Sequence, residues 1–268
     1  MNPSFFDVPT TPWPTSAGDV DLPILYHDNS AVQAFFLCAP ERLRPILEGT
    51  GLRPALVLGR NALVAVAGFE YRKTSVGSYN EVAVALAVYP PGRPDSSVPL
   101  YDFVRPLCER ALGVYIAELP VTTTVACAAG RELWGYPKFV TEIPFQLGPQ
   151  ALDFSVLDPQ NRAEILHLWG ELGFGVRLPG VDLMTYSNHQ GAIVRTEVRV
   201  DAPFSLHPRP RIQLRVGPST HRMAETVRRL GLDGARPALV LQTNTFRSIL
   251  PAGTPCAAHP TPPLPYDP

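Results

Sequence analysis

Gly130-Arg131-Glu132-Leu133-Trp134-Gly135-Tyr136-Pro137-Lys138-Phe139 is the stretch from which the rest of the chain is read. Ahead of it, Thr122, Thr123 and Thr124 offer hydroxyls that can cap a helix, and residues 125–133 continue as an Ala-rich helical run. Gly135 can adopt the left-handed conformation that ends a helix, and Pro137 cannot continue one. Pro137 also drives Tyr136 into extended backbone. The pattern therefore predicts a stiff helix-to-strand corner, with Lys138 at the head of a strand over residues 139–147. Trp134, Tyr136, Pro137, Phe139 and Val140 surround Lys138 in sequence, and no further cation follows until Arg162. An amine held among apolar groups loses the solvation of its charged form and becomes nucleophilic near neutral pH. On that reading, Lys138→Met stabilises the fold near neutrality while removing the nucleophile. A lysine whose stem packs on Trp134 and whose head reaches water is the bland alternative.

Composition narrows the classes of function. The chain has 268 residues, enough for a substantial core in one large β-rich domain or two small ones. Its net charge of −1 argues against a nucleic-acid or anionic-membrane partner, which would call for a basic patch. No apolar run is long enough for a membrane helix, and residues 1–14 lack the basic start and apolar core of a signal peptide. Cys38, Cys108, Cys127 and Cys256 are scattered, which points to a reducing cytoplasm more than to disulfides or zinc. Phosphate-loop, dinucleotide, zinc-protease and nucleophile-elbow motifs are absent, and the six histidines show no ligand spacing. No metal or organic cofactor is implied.

Gly130-Arg131-Glu132-Leu133, then two residues, then Tyr136-Pro137-Lys138 resembles the active-site signature of the acetoacetate decarboxylase family. That family's lysine is itself a well-known example of activation by apolar surroundings or a neighbouring cation, so its role comes to this chain by resemblance alone. The resemblance implies that Lys138 is a Schiff-base nucleophile. Val76-Gly77-Ser78-Tyr79-Asn80-Glu81, followed by the apolar residues 82–88, is similar to the family's Gly-x-Tyr-x-Glu segment. That match implies an active-site carboxylate at Glu81. Tyr79, Trp134 and Tyr136 become candidate pocket walls. Arg131 and Glu132 become candidate substrate contacts or, as an ion pair, a brace for the corner. Three features of the family pattern are missing. Phe139 stands where the decarboxylase proper has a second lysine. No arginine precedes Arg42, and the place of the family's N-terminal arginine falls near Asp28 or Asn29. A second family glutamate aligns near Val66, with Glu70 out of register.

The resemblance implies a mostly β (α+β) fold, with curved antiparallel sheets forming a cone or barrel around the pocket, commonly as a homo-oligomer. Periodicity by itself gives "mostly β, a few helices". Residues 31–38, 55–67, 81–89 and 113–119 read as strands, as do 152–157, 163–169, 192–200, 211–216 and 237–242. Residues 40–47 and 221–230 read as helices, and 102–112 as a helix interrupted at Pro106. Prolines divide the chain into an extended N-terminal arm (1–20), one domain (21–250) and an unstructured Pro-rich tail (251–268). Glu142 shares the strand face of Lys138 if that strand runs through, and His167 sits on an apolar strand. The function implied is a lyase that forms a Schiff base with a small-molecule keto acid, decarboxylating it through a lysine iminium. Aldol–dehydration chemistry on a larger keto acid is the alternative, and a non-catalytic small-molecule binder of the same fold is a second.

Overall fold

The computed structural model describes residues 2, 4–57, 60–92, 99–103 and 105–256. Seven strands close into a barrel: Ile24–Cys38, Asn61–Thr74, Tyr79–Tyr89, Gly113–Val121, Leu183–His189, Ala192–Val200 and Leu239–Leu250, which pairs back to Ile24–Cys38. Closure comes from Arg199 opposite Ile249 and Val200 opposite Ser248. Most neighbours are antiparallel, but Leu183–His189 runs parallel to Gly113–Val121, as does the short strand Lys138–Val140. A separate antiparallel sheet, Phe145–Leu147, Ala151–Leu157, Glu164–Glu171 and Arg211–Val216, covers one outer face of the barrel.

Period-two alternation sorts the side chains between two cores. Val64, Val66, Val82, Val84 and Leu86 point outward and pack with Leu152, Phe154, Leu166, Leu168 and Leu214 of the covering sheet. Each such side chain contributes about 1.5–3 kcal/mol on burial. Close approach of the two sheets depends on Gly68, where a Cβ would lie 2.6 Å from the Phe145 ring and 2.9 Å from that of Phe154. Ala65, Ala67, Phe69, Tyr71, Tyr79, Ala83 and Ala85 point inward and share the barrel core with Trp134 and Tyr136.

Several expectations change here. The strand expected over 139–147 is two strands, Lys138–Val140 in the barrel sheet and Phe145–Leu147 in the covering sheet. Pro144 lacks the N–H a continuous ladder needs, and the chain crosses between sheets at residues 141–144. Glu142 consequently does not share a face with Lys138: it is exposed and paired with Arg162. The strand expected over 55–67 divides into Leu56–Val57 and Asn61–Thr74, which pair with each other. His167 faces outward, stacked on Trp169 and bonded to Asp153 at 2.9 Å. Leu183–His189, which periodicity leaves unassigned, completes the barrel.

At the N-terminus, Thr11–Trp13 pairs with Val20–Leu22, Ser16 bonds Glu132, and the Phe5 ring lies against Arg199 and Arg247. In the segment expected to be an unstructured tail, Thr254–Pro255 pairs with residues 194 and 195, and residues 257–268 lie outside the described residues. Among the described residues, no helix is long and apolar enough to cross a membrane.

Candidate active site

The corner forms as its residues dictate. Thr123 caps the helix Thr124–Trp134 by accepting from the Ala126 N–H, and Gly135 ends it at φ 67°. The Gly135 and Tyr136 amides then donate to the Arg131 and Gly130 carbonyls, which terminates the helix in a Schellman-type turn. Pro137 releases the chain into Lys138–Val140, where Lys138 lies beside Leu119 of Gly113–Val121. Lys138 is thereby aimed back under its own helix and into the barrel. Its stem crosses Gly130 so closely that a Cβ there would lie 2.5 Å from the lysine Cε and closer still to Cδ. The first glycine of the signature is therefore the space the nucleophile occupies.

Glu81 arrives from the opposite direction, on the inner face of Tyr79–Tyr89, with Gly113–Val121 lying between that strand and Lys138–Val140. Lys138 Nζ donates to Glu81 Oε2 at 2.7 Å, and the two side chains are only 6% and 9% exposed. Tyr71 donates its hydroxyl to Glu81 Oε1 at 3.3 Å, and the Lys138 ammonium stands 5.6 Å from the centre of the Tyr79 ring. Tyr26 and Tyr79 share a hydrogen bond at 3.1 Å, while Tyr136 bonds Thr185 at 2.8 Å. Burial, reinforced by Glu81, raises Tyr26 and Tyr71 above the usual phenol range. Burial, then Tyr26 and Glu81, does the same for Tyr79. Tyr136 is pushed up to about 12 by burial against the opposing pull of the Thr185 and Thr196 hydroxyls. All four phenols stay protonated at neutral pH, which leaves Glu81 as the carboxylate able to exchange a proton with the lysine.

Beside Lys138 lies a cavity of about 10 Å³, roughly the room one water centre needs. Ile24, Val76, Ala126 and Leu250 form its apolar side, and Tyr79, Trp134 and Tyr136 its aromatic walls. Trp134 is fixed by donating its indole N–H to the Pro251 carbonyl at 2.9 Å. The structure thus brings together Lys138, Glu81, Tyr79, Trp134 and Tyr136. It does not bring Arg131 and Glu132 to the cavity. Both are exposed, and Glu132 accepts from the Ser16 amide at 3.0 Å and from the Ser16 hydroxyl.

Sequence patterning misses Tyr26 and Tyr71. Tyr71 stands opposite Tyr79 across the strand pair, a register that no local sequence pattern announces. Asp28 and Asn29, near which the place of the family's N-terminal arginine falls, differ in environment. Asp28 points outward to Arg72 at 2.8 Å, whereas Asn29 is fully buried, on the face shared with Tyr71. Its amide donates to the Phe246 carbonyl at 2.9 Å, and its Oδ1 has no partner among the described residues. No cluster of His, Cys, Asp and Glu among the described residues has the geometry to hold a metal ion.

A closed β-barrel with a buried lysine–carboxylate pair at the foot of a helix-to-strand corner defines the architecture. The acetoacetate decarboxylase (ADC) family model matches residues 7–165, more than half of the sequence, and the chain belongs to that family. The fold is similar to acetoacetate decarboxylase from Legionella pneumophila, at TM-score 0.63 and 14% identity over 95% of this chain and 94% of that one. An acetoacetate decarboxylase-like enzyme from Sphingomonas wittichii RW1 matches at TM-score 0.62 and 14% identity, over 89% and 94%. The enduracididine biosynthesis enzyme MppR, complexed with pyruvate, matches at 0.61 and 14%, over 95% and 94%. Comparison with curated proteins gave no match.

Proposed function

We propose that this protein is a lyase that forms a Schiff base between Lys138 and a keto acid, and that decarboxylation through the resulting iminium is its reaction. The observation that carries the reading is the buried 2.7 Å contact between Lys138 and Glu81. A nucleophilic amine needs its lone pair, and Glu81 is placed to take the proton that frees it. The amine adds to the ketone carbon, Glu81 returns the proton to the carbinolamine oxygen, and water leaves to give the protonated imine. With a 3-oxo acid, cleavage of the bond to the carboxylate releases carbon dioxide and sends its electron pair into the iminium, giving an enamine. Protonation at carbon, then hydrolysis, returns the ketone and the free lysine.

Lys138 is the single cation among the residues lining the cavity, so a substrate carboxylate meets no guanidinium there. Acetoacetate should therefore be a poor substrate compared with a larger or more apolar keto acid. Glu81 is equally placed to remove an α-proton from an imine, which favours aldol–dehydration as a second reading. MppR has been captured with the condensation product of pyruvate and imidazole 4-carboxaldehyde.

Borohydride trapping with a panel of 2-oxo and 3-oxo acids, followed by peptide mass spectrometry, tests the proposal. A reduced adduct on the peptide containing Lys138, lost in Lys138→Ala, is expected. An adduct confined to other lysines, or none with any acid, overturns it. Carbon dioxide release against α-proton exchange in deuterated water then separates decarboxylation from enamine chemistry that keeps the carboxylate.

A further inference from the structure

Four phenols surround the Lys138–Glu81 pair. Tyr26 comes from Ile24–Cys38, Tyr71 from Asn61–Thr74, Tyr79 from the strand of Glu81 itself and Tyr136 from the corner. Together with Lys138 they are the titratable groups that face the carboxylate. Three of the phenols are engaged elsewhere: Tyr26 and Tyr79 bond each other at 3.1 Å, and Tyr136 bonds Thr185 at 2.8 Å. Tyr71 alone of the four donates to Glu81, at 3.3 Å.

Register and packing put that hydroxyl where it is. Tyr71 stands opposite Tyr79, and Phe69 opposite Glu81, so Tyr71 and Glu81 are diagonal neighbours. Diagonal positions lie about 7–8 Å apart, a gap that an aromatic side chain can span. The Tyr71 ring lies 4.6 Å from that of Tyr26 and 4.7 Å from that of Tyr79, and it stacks on Phe69 at 5.4 Å. Rings on three sides fix its orientation. Its hydroxyl ends at Glu81 Oε1, whereas Lys138 Nζ donates to Oε2 at 2.7 Å. The two carboxylate oxygens thus have different partners. Tyr71 is not among the residues lining the cavity, so it can reach the reaction only through Glu81.

We infer that Tyr71 is a positioning residue for Glu81: by holding Oε1, it makes Oε2 the oxygen that takes the lysine proton and the one that returns it. The inference rests on the proposed imine at Lys138. As Nζ gives up its proton, Oε2 gains it, and Oε1 becomes the carbonyl oxygen that still accepts from Tyr71. That proton then passes from Oε2 to the carbinolamine oxygen, which leaves as water, and Glu81 is a carboxylate again. Without the hydroxyl, the acid can carry its proton on Oε1, the oxygen not in contact with Lys138. The hydroxyl also offsets part of the carboxylate's charge. Its loss tightens the hold of Glu81 on the ammonium and moves imine formation to higher pH. A full hydrogen bond to a charged group is worth roughly one to two pH units. At 3.3 Å, longer than the usual hydroxyl–oxygen distance, a shift of about half a unit is expected.

Labelling of Lys138 from neutral to alkaline pH tests this in the parent, Tyr71→Phe, Glu81→Gln and the double variant. Pyruvate and, separately, formaldehyde are each used with cyanoborohydride, and peptide mass spectrometry reads the adduct. Formaldehyde reports the free amine without needing a keto-acid site. Tyr71→Phe is expected to raise the pH of half-maximal labelling by about half a unit with both reagents, and to slow pyruvate labelling severalfold at its plateau. In the Glu81→Gln background the same change should alter neither, because Tyr71 acts through the carboxylate. A tyrosine that only packs would lower the rate equally in both backgrounds and leave the pH unmoved. Site-specific 3-fluorotyrosine in place of Tyr71, a stronger donor of nearly the same shape, should shift the profile to lower pH, and it decides the matter if Tyr71→Phe does not fold. No shift in either variant, a shift to lower pH in Tyr71→Phe, or an equal loss in both backgrounds overturns the inference. A Lys138 that no keto acid labels overturns the proposed function alone, and the formaldehyde profile still decides the role of Tyr71. Absence of labelling by formaldehyde as well overturns both.

Discussion

Replacing Lys138 by Met separates a lysine held in an apolar pocket from one held by a buried partner. The local sequence places only apolar groups around the amine, which predicts that removing it stabilises the fold. The structure overturns that premise, because Glu81 lies 2.7 Å from Nζ with both side chains more than nine-tenths buried. After Lys138→Met the carboxylate keeps only the Tyr71 hydroxyl among its observed partners, at 3.3 Å. Removing one member of a buried ion pair costs about 3–5 kcal/mol, because the other charge is left in a dry site. For a chain near this size each kcal/mol is worth about 2–4 °C, so thermal unfolding should begin roughly 10 °C earlier. The double variant Lys138→Met/Glu81→Gln removes both charges and should return to within about 1–2 kcal/mol of the parent. Calorimetry and urea titration on the parent, both singles and the double give the coupling directly. A Lys138→Met protein as stable as the parent, or a double variant no better than that single, would refute the buried-pair argument.

Gly130→Ala should lower stability by up to about 3 kcal/mol, because the ~1 kcal/mol helix preference for alanine does not offset displacing the buried Lys138 stem from its partner, and it should cut imine trapping at least tenfold. Parent-level trapping in a folded Gly130→Ala protein would show that the stem has another route. Alkaline titration should reveal the four buried phenols. Their folded-state values are raised, so they stabilise the fold below the ordinary phenol value near 10, and that contribution is lost as pH rises above it. Four groups give a slope of up to about 5 kcal/mol per pH unit just above pH 10, and Tyr71→Phe should lower it by about 1.4. A stability curve flat from pH 9 to 11 would contradict the burial of the cluster. Glu132→Ala should leave Lys138 labelling within twofold, because Glu132 holds Ser16 and not the cavity; a large loss would restore it as a substrate contact.

What can be read in advance divides by how far apart the determining residues are. The corner is legible, because a hydroxyl cap, a left-handed glycine and a proline act within a few residues of one another. The two-strand crossing at residues 141–144 is not, since both sheets offer an extended chain similar burial and only the register of Phe145 with Phe154 places the second half. Leu183–His189 escapes notice for a related reason. Its Thr185, Ser187 and Asn188 look like loop residues, yet Thr185 is satisfied by Tyr136 and Ser187 by the Trp134 carbonyl once the corner has packed there. That strand is parallel to Gly113–Val121, a pairing no hairpin spacing announces.

The pairing of Lys138 with Glu81 follows the same logic and explains why so little of the site is local. A buried amine is tolerable only when a partner meets it, and the partner must come from a rigid element if the pair is to hold its geometry. Gly113–Val121 lies between the two in the sheet, with Val121 opposite both Glu81 and Val140. One strand therefore positions both members: antiparallel pairing sets the depth of the carboxylate and parallel pairing that of the lysine. A one-residue slip on either side would turn Glu81 or Lys138 to the outer face and into the valine-lined core. The outer valines of Tyr79–Tyr89 resist such a slip by their packing on the covering sheet, while the inward alanines on the same strand make almost no demand on register. The covering sheet, far from the chemistry, is thus what keeps the carboxylate within 2.7 Å of the amine.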